Sequence, residues 1–140
     1  MKPTISFSSL KVGDAVTPLD ISLTATMIVA GAVASRDFMP VHHDKEFAIS
    51  QGAPDIFMNI LTTNGYIARF LSDWAGPGAR VANIRIRLGV PAIPGHHLEF
   101  RGEILKLEMQ DDQGQVEVSI KVTNEMGDHA TGTAMVVLPT

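Results

Sequence analysis

The stretch RVANIRIRLGVPAIPGHHLEFRGEILKLEM, residues 80–109, decides the fold. Its apolar residues Ala82, Ile84, Ile86, Leu88 and Val90 alternate with Asn83, Arg85, Arg87 and Gly89, the period of a strand with one buried face. PAIPG, Pro91–Gly95, breaks that strand with two prolines and a glycine and reads as a turn. A second strand follows from His97 to about Met109. There the alternation Leu98, Phe100, Gly102, Ile104 changes phase to Leu105, Leu107, Met109, which predicts a bulge near Ile104. Further out, DDQGQ is a turn, Val116, Val118, Ile120 and Val122 mark a third strand, EMGD is another turn, and Ala130–Leu138 closes the sheet. Four strands joined by short turns must be largely antiparallel, because parallel neighbours need long crossovers.

Toward the N-terminus the period changes. From Asp55 to Trp74 the residues Ile56, Ile60, Ile67, Leu71 and Trp74 recur at helical spacing, widened by Phe57, Leu61, Ala68 and Phe70. AGPG, Ala75–Gly78, stops this long helix. Gly65 lies inside it at a propensity cost of roughly 1 kcal/mol, which predicts close packing there. Asp44 can cap a short helix to Ser50, which Gly52 and Pro54 end. LTATMIVAGAVA, Leu23–Ala34, reads as a buried helix with Thr24 as N-cap, and Asp14–Ile21 carries a weak strand pattern. A meander with one apolar face and one long helix are satisfied together when the sheet curls around the helix. The expected fold class is therefore α+β, a hot-dog-like antiparallel sheet around a long central helix, with residues 1–140 as a single domain.

Length and charge narrow the function. A chain of 140 residues with 45% apolar residues builds one core and is too short for two ordinary domains. It has no cysteine, which suits a reducing cytoplasm and rules out disulfides and thiolate metal sites. MKPTISFSSL carries one lysine and no long apolar run, unlike a signal peptide, and no segment approaches the roughly 20 apolar residues of a membrane span. A net charge of −4 argues against a nucleic-acid partner.

The chemistry-bearing segment is SRDFMPVHHD, Ser35–Asp44. Asp37 and His42 flank Pro40, which cannot sit inside a helix and pushes Met39 toward extended geometry. The segment must turn, and a turn can aim both side chains into one pocket. A carboxylate with an imidazole is the pair that addition or removal of water requires; solvated, turn-forming side chains are the alternative. His43, Asp44, His96 and His97 do not make a metal site on this pattern, since adjacent histidines diverge and ligands must converge. Asp44 is better read as a helix cap, and His43, His96 and His97 as surface residues.

This loop, the helices after it and RVANIRIRLGVPAIPGHHLEF together resemble the MaoC-like, R-specific enoyl-CoA hydratases and dehydratases, over about residues 12–139. Their loop signature is close to S-G-D-x-N-P-x-H, onto which Asp37, Pro40 and His42 fall. Arg36 stands in place of the glycine and Met39 in place of the asparagine, and Ile56–Asn59 replaces a common Ile-Ala-His-Gly step. DIFMN and FLSDWAGP further resemble the small MaoC subunit of hydratases acting on steroid side-chain enoyl-CoA thioesters.

The resemblance implies syn addition of water to a trans-2-enoyl-CoA, with His42 as base toward water and Asp37 as proton donor toward C2, roles that could be shared or reversed. It implies an oxyanion donor in the backbone N–H of Asn59, with that of Met58 nearby. Met39 and Phe57 are candidate acyl contacts, with Met58, Phe70 and Trp74 open to either pocket or core. Arg85 and Arg87 could meet coenzyme A phosphates or simply be solvated. No cofactor is implied, since coenzyme A is part of the substrate. The implied assembly is a homodimer or a heteromer with a second MaoC-like subunit, which would also cover the open sheet edge. A hot-dog thioesterase and a non-catalytic MaoC-like partner are the competing readings.

Overall fold

The strands of residues 80–139 are antiparallel, as expected, but they are not a meander: the first, Arg80–Leu88, pairs with the last, Gly127–Pro139, and not with the next in sequence, His97–Arg101. The computed structural model describes residues 2–140. In chain order it contains β1 (Leu19–Ser22), α1 (Ala25–Ala34), α2 (Lys45–Ser50), α3 (Ile60–Ala75), β2 (Arg80–Leu88), β3 (His97–Arg101), β4 (Ile104–Gln110), β5 (Gln113–Asn124) and β6 (Gly127–Pro139). The sheet order is β1-β3-β5-β6-β2, with β4 also paired to β5, and every pairing is antiparallel. β3 and β4 are one strand interrupted at Gly102–Glu103, with a register shift between Ile104 and Lys106, so the expected bulge is present. A Cβ on Gly102 would strike the Ser119 carbonyl, so the strand crosses its neighbour there only as glycine.

The inward faces of β3 and β5 are the predicted ones, whereas the apolar face expected on β4 is not buried, Leu105 and Met109 being 40% and 52% exposed. Leu98, Phe100, Val116, Val118, Ile120, Val122, Ala134 and Val136 are buried and form one core with Ile67, Phe70, Leu71 and Trp74 of α3. Burial of each large aliphatic or aromatic side chain of this kind contributes about 1.5–3 kcal/mol. The result is the α+β arrangement of a sheet curled around a helix.

Four local expectations are corrected. α3 begins at Ile60 rather than Asp55, because the N–H groups of Phe57 and Met58 bond the carbonyls of Val41 (3.2 Å) and Ala92 (2.9 Å) instead of a preceding helical turn. Asn59 then caps the helix, its Oδ1 accepting from the Thr62 N–H at 3.0 Å. Gly65 meets nothing within 4 Å; the close approach is at Gly31 of α1, where a Cβ would overlap the Thr62 side chain. α1 buries only Ile28 and Ala32, since it covers the core from one side and its other face is open. In β2 the register slips between Val81 and Asn83, so Ala82 is an extra residue and stays exposed, and Leu88 at the strand end is exposed too. The caps Thr24 and Asp44 act as expected, accepting from Met27 N–H and Phe47 N–H.

Candidate active site

The Ser35–Asp44 segment is folded by its own backbone. Ser35 ends α1, its hydroxyl donating to the Gly31 carbonyl at 2.7 Å. Arg36 follows in the left-handed region, φ 56°. It occupies the position where the resembled signature carries glycine, and a side chain there costs roughly 1–2 kcal/mol. This kink lets Asp37 N–H return to the Ala32 carbonyl at 2.9 Å. Pro40 opens a short 3₁₀ turn, Pro40–His42, in which His42 N–H donates to the Met39 carbonyl and the following His43 and Asp44 N–H groups donate to that of Pro40.

The turn brings His42 Nε2 to 3.2 Å from Asp37 Oδ2, with the His42 side chain 8% and the Asp37 side chain 29% exposed. On its other side His42 Nδ1 lies 2.6 Å from the Phe57 carbonyl, and the Phe57 ring stands edge-on to the imidazole at 5.1 Å. A carbonyl only accepts, so Nδ1 carries a hydrogen and Nε2 is the nitrogen turned toward the carboxylate. Carboxylate oxygen and Nε2 can bond directly only with one proton between them.

Asn59 completes the group. Its Nδ2 donates to Asp37 Oδ2 at 3.1 Å and to Ser35 Oγ at 2.9 Å, while Oδ1 accepts from Thr62 N–H and the Thr62 hydroxyl. The Asn59 amide holds the Asp37 carboxyl below the usual carboxylate range; burial opposes this, and the Met39 N–H and the His42 charge add to it.

These side chains open on a cleft of about 290 Å³ lined also by Phe57, Met58, Ile60, Leu88 and Val90. Its floor includes His129, which had no flag in the sequence because it sits alone at a strand start. His129 is 2% exposed. Its Nδ1 donates to the Val90 carbonyl at 2.8 Å, so Nε2 accepts from the Thr63 hydroxyl at 2.9 Å. Burial pushes its pKa down, the Val90 carbonyl opposes this, and the charge of His96 adds to the lowering. His129, which lines the cleft, and Thr63, which is buried behind it, carried no mark in the sequence.

Other expected residues lie apart. Arg85 and Arg87 are exposed and do not line the cleft; Arg85 flanks a shallow depression with Asn83, Glu117 and Thr133 on the outer sheet face. Met39 is 49% exposed and also outside the lining. Phe70 and Trp74 belong to the core. The Met58 N–H bonds Ala92, which removes it as a free donor, whereas Asn59 N–H has no partner within the described residues. His96 is buried, contrary to the surface expectation, because the 91–96 turn folds back and the Ile93 N–H donates to its Nδ1 at 3.3 Å. Among the described residues no three His, Asp or Glu side chains converge as a metal site.

Comparison with known proteins places these features. Residues 9–126 match the family described as MaoC like domain. The 3-oxo-4,17-pregnadiene-20-carboxyl-CoA hydratase beta subunit of Mycobacterium tuberculosis is 44% identical over 108 residues, 77% of this chain and 81% of the relative. A chain of the ChsH1-ChsH2 complex from Mycobacterium tuberculosis superposes with a TM-score of 0.84 at 39% identity, covering 91% of this chain and 98% of that one. The R-hydratase PhaJ1 from Pseudomonas aeruginosa, at 22% identity and a TM-score of 0.85 over 97% of this chain and 86% of that one, shares the fold. Among the described residues no helix is long and apolar enough to cross a membrane.

Proposed function

The chain belongs to the MaoC-like domain family, and on that premise we propose that it catalyses R-specific hydration of a trans-2-enoyl-CoA to the 3-hydroxyacyl-CoA, or the reverse dehydration. The observation that carries this reading is the Asp37–His42 pair, joined at 3.2 Å beside the start of α3. No cofactor enters, because the reaction only moves protons and adds water.

In the hydration direction the water oxygen bonds C3, and the C2=C3 electron pair moves through C2 toward the thioester carbonyl. One water proton must leave and C2 must gain one. The sequence favours His42 as base and Asp37 as donor, but the hydrogen bonds support the reverse. In this step Asp37 starts as the carboxylate and His42 with a hydrogen on both ring nitrogens; Asp37 accepts the water proton, and His42 gives the one on Nε2 to C2. Transfer of the new proton from Oδ2 to Nε2 across their contact restores the pair. Each such transfer contributes about 10²- to 10⁴-fold. The developing thioester oxyanion is served by Asn59 N–H at the positive end of α3, and one such donor is worth about 3–4 kcal/mol.

The same reading assigns the partner. Ile60 and Leu88, which line the cleft, are 46% and 41% exposed, and Phe38 and Met39 beside Asp37 are 65% and 49% exposed. β2 pairs only with β6 and leaves an open edge. A second MaoC-like subunit would cover these groups, and the likeness to a pregnadiene-carboxyl-CoA hydratase beta subunit supports a heteromer acting on a bulky steroid side-chain thioester in the cytoplasm. Met39 and Phe57 would contact the acyl group, and Arg85 and Arg87 would reach coenzyme A phosphates only from outside the cleft. Thioesterase chemistry has less support: the only acid of α3 is Asp73, at the far end of the helix from the cleft.

The test is the loss of enoyl-thioester absorbance with the purified chain, alone and with a second MaoC-like chain. Asp37→Asn and His42→Ala should each lower the rate by about 10² or more. Wild-type rates in both variants would overturn the assignment, and release of free coenzyme A would favour the thioesterase.

A further inference from the structure

The side chain of Asn59 does more than cap a helix. It is 2% exposed, and all four of its hydrogen-bonding positions are filled. One Nδ2 hydrogen goes to Asp37 Oδ2 and the other to Ser35 Oγ, whose own hydrogen is directed to the Gly31 carbonyl. Oδ1 takes the Thr62 N–H and hydroxyl. The amide therefore has one orientation: a flip would set its oxygen against the Asp37 carboxylate and its NH₂ against the Thr62 N–H. The oxygen it holds, Oδ2, is the one that faces His42 Nε2. Within the loop itself, the remaining donor to Asp37 is the Met39 N–H, at 3.3 Å to Oδ1.

We propose that Asn59 is a positioning residue that fixes the Asp37 carboxylate in register with His42 and keeps it a proton acceptor, linking the end of α1, the start of α3 and the Asp37–His42 pair through one amide. An amide N–H donates and cannot accept, so it favours the ionised carboxyl over the acid. The lowered titration of Asp37 agrees with this. This role is separate from that of the Asn59 backbone N–H, and it rests on the hydratase reading for its catalytic consequence.

The cap and the donor can be separated. Asn59→Ser keeps an oxygen that can accept from Thr62 N–H but removes the donor to Asp37; Asn59→Asp keeps the cap and adds a second carboxylate beside the first. The Asp37 carboxyl carbon is followed by NMR titration, alongside the pH profile of hydration and thermal melting. Asn59→Ser should melt near the wild type, raise the pH at which Asp37 titrates, move the acid limb of kcat upward, and lower kcat about tenfold to a hundredfold with little change in KM. Asn59→Asp should move the titration further. A folded Asn59→Ser whose Asp37 titration and acid limb both stay at the wild-type position overturns the proposal. If the wild type hydrates no enoyl-CoA, alone or with a partner chain, while the Asp37 titration still moves, the hydratase reading fails and the positioning of Asp37 by Asn59 stands.

Discussion

Gly31→Ala tests whether the crossing of α1 and α3 is tied to the active-site hydrogen bonds. In a helix interior alanine is normally better than glycine by about 0.8–1 kcal/mol. Here the new Cβ would overlap Thr62 Oγ1 and lie 3.0 Å from Thr62 Cγ2 and 3.2 Å from Thr62 Cβ. Thr62 is short and β-branched, so it cannot swing away as a long side chain would. Rotation removes its hydroxyl bond to Asn59 Oδ1, about 0.5–1.5 kcal/mol, and overpacking at such a contact costs about 1–3 kcal/mol. Setting these against the propensity gain leaves a net destabilisation of about 0.5–3.7 kcal/mol. Hydration should fall as well, because Asn59 is disturbed. Urea unfolding of Gly31→Ala in the wild-type and Thr62→Ala backgrounds gives the decisive comparison. In Thr62→Ala the change should be neutral or stabilising. Stabilisation in the wild-type background, or an equal loss in both, would refute the coupling.

His129 is neutral in the folded chain because burial lowers its pKa from 6.5. The unfolded chain thus binds more protons just below that value, so stability is complete above pH 6.5 and is lost as the pH falls through the folded pKa. His129→Gln should flatten this part of a urea-midpoint profile between about pH 7.5 and 5, and an unchanged slope would contradict it. Phe100→Ala removes a fully buried ring that packs 6.1 Å from both Phe70 and Tyr66, and should cost about 3–5 kcal/mol in the same assay; a loss below 1 kcal/mol would show that the core is not closed there. Asp44→Ala removes the cap of α2 and should cost about 1 kcal/mol, with Asp44→Ser recovering most of it; equal losses would mean that the cap bond is not the source.

The sheet was legible where a strand buries one face, as in β3 and β5, and there burial and sequence period coincide, from Val116 to Val122 in β5. Where they do not coincide, the reading slipped. Ile56 sits at helical spacing before Ile60, yet the N–H groups of Phe57 and Met58 bond Val41 and Ala92. Nothing in a local pattern carries those partners. Propensity likewise pointed to Gly65 as the close contact, whereas the residue under steric constraint is Gly31, whose neighbour Thr62 is on another helix.

The site divides in the same way. Asp37 and His42 could be paired from sequence because Pro40 forces a turn within five residues, and their contact is local. Asn59 and His129 reach the cleft by tertiary folding, with Thr63 hydrogen-bonded behind His129, so no spacing marks them. This matters for the chemistry, since an Asp and a His on a turn do not say which one holds the proton. The Phe57 carbonyl requires a hydrogen on His42 Nδ1, and the Asn59 amide supports Asp37 as the acceptor. The departures from the common signature are consistent with this arrangement. Met39 stands at the asparagine position, the side-chain amide that reaches Asp37 is that of Asn59, and Arg36 adopts the left-handed backbone that glycine would take without strain. The pairing of Asp37 with His42 is therefore local to the loop, while the amide that reaches the Asp37 carboxylate comes from the start of α3.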